Sequence, residues 1–222
     1  MHKWMAAVLV ALLALAGFGP PGAPALADDR VDLLLVLAAD ISRSVDERKF
    51  HLQREGYASA ISDPRVVRAM TAGPSGRIAL CFVEWAGESD QVIVVDWASV
   101  GSAGDAQDVA KRIREAPRAF MGRTSISAAI DVGMTLLARA QFQTDRRVID
   151  VSGDGTSNSG RLVTQARDAA IAQGVTINGL VILSEVPLRT NPLHTHPPGG
   201  LTAYYENNVV GGPGAFVVEA QS

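Results

Sequence analysis

The sequence predicts a three-layer α/β/α sandwich around a doubly wound, mostly parallel sheet with one antiparallel edge strand, a Rossmann-like arrangement. Three observations carry this. Several strand-like runs are almost continuously apolar, as in residues 31–39 and 175–183, which suits strands covered on both faces. Helical patterns alternate with them along the chain. Only one pair of strands is joined by a hairpin-length link, Ala86-Gly87-Glu88-Ser89-Asp90, and a link that short makes its strands antiparallel.

The elements follow in order. Residues 31–39 form the first strand. A helix comes next, with Phe50, Tyr57 and Ile61 on one stripe at helical spacing. Residues 78–85 and 91–97 are the hairpin strands. Residues 105–116 form a helix. Residues 125–140 form another, with Ile126, Ala129, Ile130, Gly133 and Leu137 on one face. Residues 147–151 are a strand, and 161–173 a helix stopped by Gly174. Residues 175–183 are a strand. A Pro- and His-containing loop over 185–200 precedes residues 203–207. A last strand, 215–218, follows Gly211-Gly212-Pro213-Gly214.

The chain opens with a targeting pattern. His2 and Lys3 form a basic start, residues 5–18 are apolar, and Ala25-Leu26-Ala27 is a small-x-small cleavage signal before Asp28-Asp29. Residues 1–27 are therefore expected to be a signal peptide and 28–222 one exported domain, periplasmic or secreted. The apolar run is short for a membrane span. Net charge is -3 and no basic block occurs, so nucleic acid and anionic membrane are poor partners. The one cysteine, Cys81, lies within a strand pattern. It excludes an intrachain disulfide framework and is expected to be a buried, inert thiol.

Chemistry concentrates at the end of the first strand. Asp40-Ile41-Ser42-Arg43-Ser44 places one carboxylate and two hydroxyls two residues apart. All three offer hard oxygen, which suits Mg²⁺, Mn²⁺ or Ca²⁺. In an open α/β sheet, ligands bind at the carboxyl ends of the strands. Two further polar loops are expected at the same end. Gly122-Arg123-Thr124-Ser125 precedes a helix, and Gly153-Asp154-Gly155 follows a strand.

This constellation resembles the von Willebrand factor type A domain. The matching residues are Asp40, Ser42 and Ser44 in the first loop, Thr124 in the second and Asp154 in the third. In that family they form the metal-ion-dependent adhesion site. The segment Val148-Ile149-Asp150-Val151-Ser152-Gly153-Asp154-Gly155 and the stretch Leu201-Thr202-Ala203-Tyr204-Tyr205-Glu206 look closer still to exported bacterial proteins with a von Willebrand A-like domain of unknown function. The resemblance implies a bound Mg²⁺, or Mn²⁺ or Ca²⁺, with a water-filled position that an Asp or Glu of a partner protein can take. Two departures stand out. Arg43 occupies a position often held by Gly, which puts a cation on the rim of the site as a solvated side chain or a contact for an anionic partner. Relatives of this kind usually continue into a closing amphipathic helix, whereas this chain stops at Ser222.

Each residue also has a local alternative. Ser44-Val45-Asp46-Glu47 reads as a capping box, Thr124 or Ser125 as a helix cap, and Asp154-Gly155 as a turn. Capping does not account for three oxygen-rich loops at one end of one sheet. Two competing functions are a metal-dependent hydrolase and a structural domain with a vestigial site. The hydrolase lacks an evident general base near the motif, a Gly-x-Ser-x-Gly elbow and a phosphate-binding loop. His194 and His196 suggest a second metal site but lack a third ligand nearby in sequence, so they are expected to be surface-loop residues. Asp150 falls mid-strand and is expected to pair with Arg77, Arg146 or Arg147 in a structural network.

Overall fold

A computed structural model describes residues 29–221. The expected signal peptide lies outside the described residues. Six strands form one sheet: β1 (Leu34–Asp40), β2 (Ile78–Trp85), β3 (Gln91–Val100), β4 (Arg147–Gly153), β5 (Val175–Leu183) and β6 (Val217–Gln221). Their order is β3-β2-β1-β4-β5-β6, and only the β2–β3 pair is antiparallel. The expected sandwich with one antiparallel edge strand is the fold observed. The chain winds outward from β1 through β2 to β3, then returns to the other side of β1 with β4. That reversal opens a crevice at the carboxyl ends of β1 and β4.

Seven helices accompany the sheet among the described residues: α1 (Glu47–Ser62), α2 (Pro64–Met70), α3 (Ala103–Glu115), α4 (Ile126–Arg139), α5 (Val163–Ile171), α6 (Pro192–Thr195) and α7 (Leu201–Asn208). Alternate residues of β1 divide the core. Leu37 and Ala39 join Ala58 and Ile61 of α1 and Val109 and Ile113 of α3. Val36 and Ala38 join Ile126 and Ile130 of α4, Ala166 and Ala170 of α5, and Tyr205 of α7. The apolar runs seen in the sequence are therefore strands buried on both faces. Cys81 is a free, fully buried thiol in the second cluster, and burial pushes its pKa up to about 12. Among the described residues no helix is long and apolar enough to cross a membrane.

Two readings need correction. The α2 helix was not anticipated. It forms because Asp63 ends α1 and caps the next helix, accepting from Arg65 N at 2.7 Å, with Pro64 in the first turn where its missing N–H costs nothing. Asp150 does not pair with an arginine in the way expected. It lies directly across from Asn178 on β5, whose side-chain amide donates to it at 2.8 Å. Arg77 turns to the Arg30 carbonyl and Arg147 to that of Gln173. Burial raises the Asp150 pKa, with only the Asn178 hydrogen bond opposing it.

One buried ion pair braces the helix face nearest the crevice. Arg54 of α1 grips Glu84 of β2 with two hydrogen bonds of 2.7 and 2.9 Å. Both are almost fully buried, at 4% and 1% exposure. Arg54 also donates to the carbonyls of Ile113, in the last turn of α3, and Ala116 just after it. Glu84→Leu leaves this guanidinium buried without its counter-charge, so it should cost about 3–5 kcal/mol in urea unfolding. The double variant Arg54→Met/Glu84→Leu should recover much of that loss. A double variant no more stable than Glu84→Leu would show that the packing, not the stranded charge, carries the cost.

Candidate metal centre

Backbone hydrogen bonds gather four loops at the carboxyl ends of β1, β4 and β5. The first runs from Asp40 to Asp46. Asp40 is fully buried and its Oδ1 accepts from Ser42 N at 2.7 Å. Arg43 N donates to Gly122 O of the second loop at 3.0 Å. Thr124 N of that loop donates to Asn158 Oδ1 at 3.0 Å, and Thr124 O accepts from Asn158 N at 2.8 Å. Asn158 belongs to the loop after β4 that carries Asp154. Thr156 N of the same loop donates to His194 O at 2.8 Å, which ties in the loop after β5. Arg118 holds the first loop from below, donating to Ile41 O at 3.0 Å and Val45 O at 2.7 Å. Its guanidinium and that of Arg54 lie over the Phe50 ring at 4.8 and 4.5 Å.

The capping alternatives resolve at this level. Asp46, not Ser44, is the N-cap of α1 and accepts from Lys49 N at 2.8 Å. Ser125, not Thr124, caps α4. The helix starts are thus satisfied by neighbours, and Ser44 and Thr124 turn their hydroxyls elsewhere. Ser44 Oγ donates to Asp154 Oδ1 at 2.6 Å and sits 3.1 Å from Ser42 Oγ. Thr124 Oγ1 and Ser44 Oγ stand 3.4 and 3.5 Å from His194 Nε2. Asp40, Ser42, Thr124 and Asp154 are at most 1% exposed, while Ser44 is partly exposed and Arg43 fully so. The structure brings the sequence-derived residues together on one end of the sheet. Asp154 and Lys49 also line one end of an apolar groove of about 350 Å³ between α1 and β5.

Two side chains at this site were missed. Lys49 Nζ reaches Asp154 Oδ2 at 3.1 Å and Ser184 Oγ at 2.8 Å. His194 was expected on the surface but is only 3% exposed, whereas His196 is exposed. The two do not form a site of their own: His196 Nδ1 meets Thr195 Oγ1 at 3.0 Å instead. Where the sequence showed no evident general base near the motif, the fold brings the His194 imidazole to it. The available signal was topological, since β5 is the next parallel neighbour of β4 and its exit loop must leave at the same end.

The electrostatics favour a cation. Asp40 is pushed up to about 8, first by burial and then by the charge of Asp154, against the hydrogen bonds from Ser42. Its Oδ2 is buried without a hydrogen-bond partner among the described residues. It lies against the bare Cα of Gly153, where a side chain would crowd both Asp40 Oδ2 and Tyr205 Oη. Gly155 has the same role for His194: a Cβ there would stand 2.2 Å from Nε2. Burial also lowers the His194 pKa, favouring a neutral ring. Among the described residues no three carboxylate, imidazole or thiol side chains gather closely enough to hold a metal alone. A cation here would need the hydroxyls. Two carboxylates and three hydroxyls, with one carboxylate oxygen unpartnered, fit a hard divalent ion.

The family model described as "Protein of unknown function (DUF1194)" matches residues 30–222. The chain belongs to that family. Among curated proteins no match is found. Among solved structures, this DUF1194 domain is similar to proximal thread matrix protein 1 from the mussel byssus, with TM-score 0.58 and 16% identity over 86% of this chain and 42% of that one. It is also similar to the pilus adhesin SpaC of Lactobacillus rhamnosus GG, with TM-score 0.59 and 13% identity over 86% and 28%. The SpRpn10 VWA domain gives TM-score 0.56 and 10% identity over 86% and 88%. A further structure of the mussel protein, with TM-score 0.55 and 16% identity over 86% and 42%, has a zinc-occupied MIDAS motif. The chain spans less than half the length of the mussel protein and of SpaC. At these identities the likeness speaks for the fold, which is von Willebrand A-like as the motifs implied.

Two outcomes follow from the charges. An unfolded chain releases the Asp40 proton near 3.8 and the folded chain near 8. The folded state holds the extra proton between those values, so the metal-free protein should lose stability as pH rises from about 4 to about 8. Asp40→Asn should flatten that slope, leaving a contribution of the same sign from Asp150 and an opposing one from His194, whose lowered pKa favours the fold as pH rises; urea titrations at pH 5 and pH 8 would show it, and an unaltered slope would remove Asp40 as its source. Lys49 opposes any cation next to Asp154. Lys49→Met should therefore tighten divalent binding about tenfold or more at low salt, as expected for a unit charge a few ångström away. Calorimetric titration of both proteins checks this, and weaker binding in the variant would count against Asp154 as a ligand.

Proposed function

We propose that this is an exported domain of the adhesion type, whose divalent cation binds an acidic residue of a partner protein. Asp40, Ser42, Ser44, Thr124 and Asp154 hold the cation, the hydroxyls as neutral ligands and one carboxylate acting largely through water. Mg²⁺ or Mn²⁺ suits this oxygen set. When bound, the ion supplies residual positive charge and an exchangeable position for a carboxylate. The observation that carries the reading is the buried, unpartnered Asp40 Oδ2 facing the charge of Asp154, which leaves the cleft short of positive charge. Ser44 borders the entry because it alone of the five is partly exposed, and Arg43 on the rim draws an anionic group toward it.

The hydrolase reading gains one supporting observation, the His194 imidazole beside the hydroxyls, which could serve as a base. Turnover of generic ester, phosphate or peptide substrates with Mg²⁺ or Mn²⁺, lost in His194→Ala, would favour it over adhesion.

Metal at about 100 times its dissociation constant should stabilise the domain by roughly 2.7 kcal/mol. That corresponds to a rise in Tm of about 5–11 °C at this size. Asp40→Asn should abolish the rise. A pull-down from the exported protein fraction should capture a partner with wild type and metal, but not with chelator or Asp40→Asn. Equal capture in all three arms would reject metal-mediated adhesion, and an unchanged thermal response in Asp40→Asn would reject the site.

A further inference from the structure

His194 differs from the five oxygen-bearing residues at the centre in offering nitrogen. It is 3% exposed, and its Nε2 sits between Ser44 Oγ and Thr124 Oγ1, hydroxyls of two different loops. At 3.5 and 3.4 Å those contacts are at the outer limit of hydrogen bonding. Nδ1 has no partner among the described residues. Buried polar groups are ordinarily satisfied, and this ring is served poorly at both nitrogens. Yet it is positioned firmly. Its carbonyl accepts from Thr156 N, two residues past Asp154, at 2.8 Å. Leu188 N donates to Thr195 Oγ1 at 3.0 Å and closes the loop behind it. Gly155 leaves room for the ring where any Cβ would collide with it. The loop thus brings an imidazole to the hydroxyls without giving it a strong protein partner there.

We propose that His194 Nε2 is a further ligand for the cation at this centre and shifts its preference from Mg²⁺ toward borderline ions such as Zn²⁺. The inference rests on the metal-site reading above and refines it. Imidazole suits Zn²⁺, Ni²⁺ and Fe²⁺, whereas an all-oxygen set suits Mg²⁺, Ca²⁺ and Mn²⁺. A histidine on the metal also cannot act as a general base, so the proposal argues against the hydrolase reading at the same residue.

The test compares Zn²⁺ and Mg²⁺ binding by calorimetry in wild type, His194→Ala and Asp40→Asn, together with pulsed electron paramagnetic resonance of Mn²⁺-loaded wild type. The ratio of Mg²⁺ to Zn²⁺ dissociation constants should fall at least about 10–100-fold in His194→Ala, the range that loss of even an outer-shell partner of a metal ligand produces. The resonance experiment should show coupling to a directly bound ¹⁴N, a signal an all-oxygen site cannot give and one that needs no variant to fold. Divalent binding that depends on Asp40, with no ¹⁴N coupling and an unchanged ratio, would overturn the role of His194 and leave the oxygen site standing. No divalent binding by wild type would overturn both.

Discussion

The structure depends on keeping two carboxylates, Asp40 and Asp154, buried at the ends of adjacent parallel strands. Their proximity is a consequence of topology, since β1 and β4 pair in parallel and end together at the reversal of the winding. Like charges in a low-dielectric place are unfavourable. The chain answers unequally. Asp154 receives the Ser44 hydroxyl and the Lys49 ammonium, while Asp40 accepts from Ser42 N and keeps one oxygen without a partner among the described residues. That asymmetry leaves the cleft short of positive charge and, on the proposed reading, ties the stability of the fold to the cation that fills it.

The support for the centre lies beneath it. The Phe50 ring carries both the Arg54 and the Arg118 guanidinium, at 4.5 and 4.8 Å from its centroid. Arg54 is locked to Glu84 on β2, and Arg118 hangs the Asp40 loop from three carbonyls, including that of Ser42 at 3.5 Å. One stack therefore connects the sheet, α1 and the ligand-bearing loop. Loops that must hold five oxygens in register need such a base, because they have little apolar surface of their own.

Much of this was legible in the sequence, for a physical reason. Strands buried on both faces must be apolar throughout, so β1 and β5 announce themselves, and a motif directly after such a strand has its location fixed. Asp40, Ser42, Ser44, Thr124 and Asp154 were readable because each sits within a few residues of a strand or helix end. His194 was not, because it lies in the short α6 turn inside the long connection after β5, 40 residues beyond Asp154, where only tertiary folding decides burial. Lys49 was hidden by its place in the first turn of α1, where a basic residue looks like ordinary solvated surface. The arginine expected for Asp150 failed for another reason. In-register pairing on a parallel sheet puts the cross-strand neighbour Asn178 closer than a charge at the strand's end.

The near closure of the centre has a kinetic side. Four of the five oxygen residues are at most 1% exposed, and Ser44 offers the partial opening. On the proposed reading, an ion exchanging with solvent must pass a loop that Arg118 pins through the Ile41 and Val45 carbonyls and Gly122 holds at Arg43 N. Loading and release are then set by local opening of that loop, not by diffusion. If the proposed cation is bound, such a domain holds it through a brief loss of supply or a short exposure to chelator. Its metal state would then report the history of its surroundings as much as their present composition.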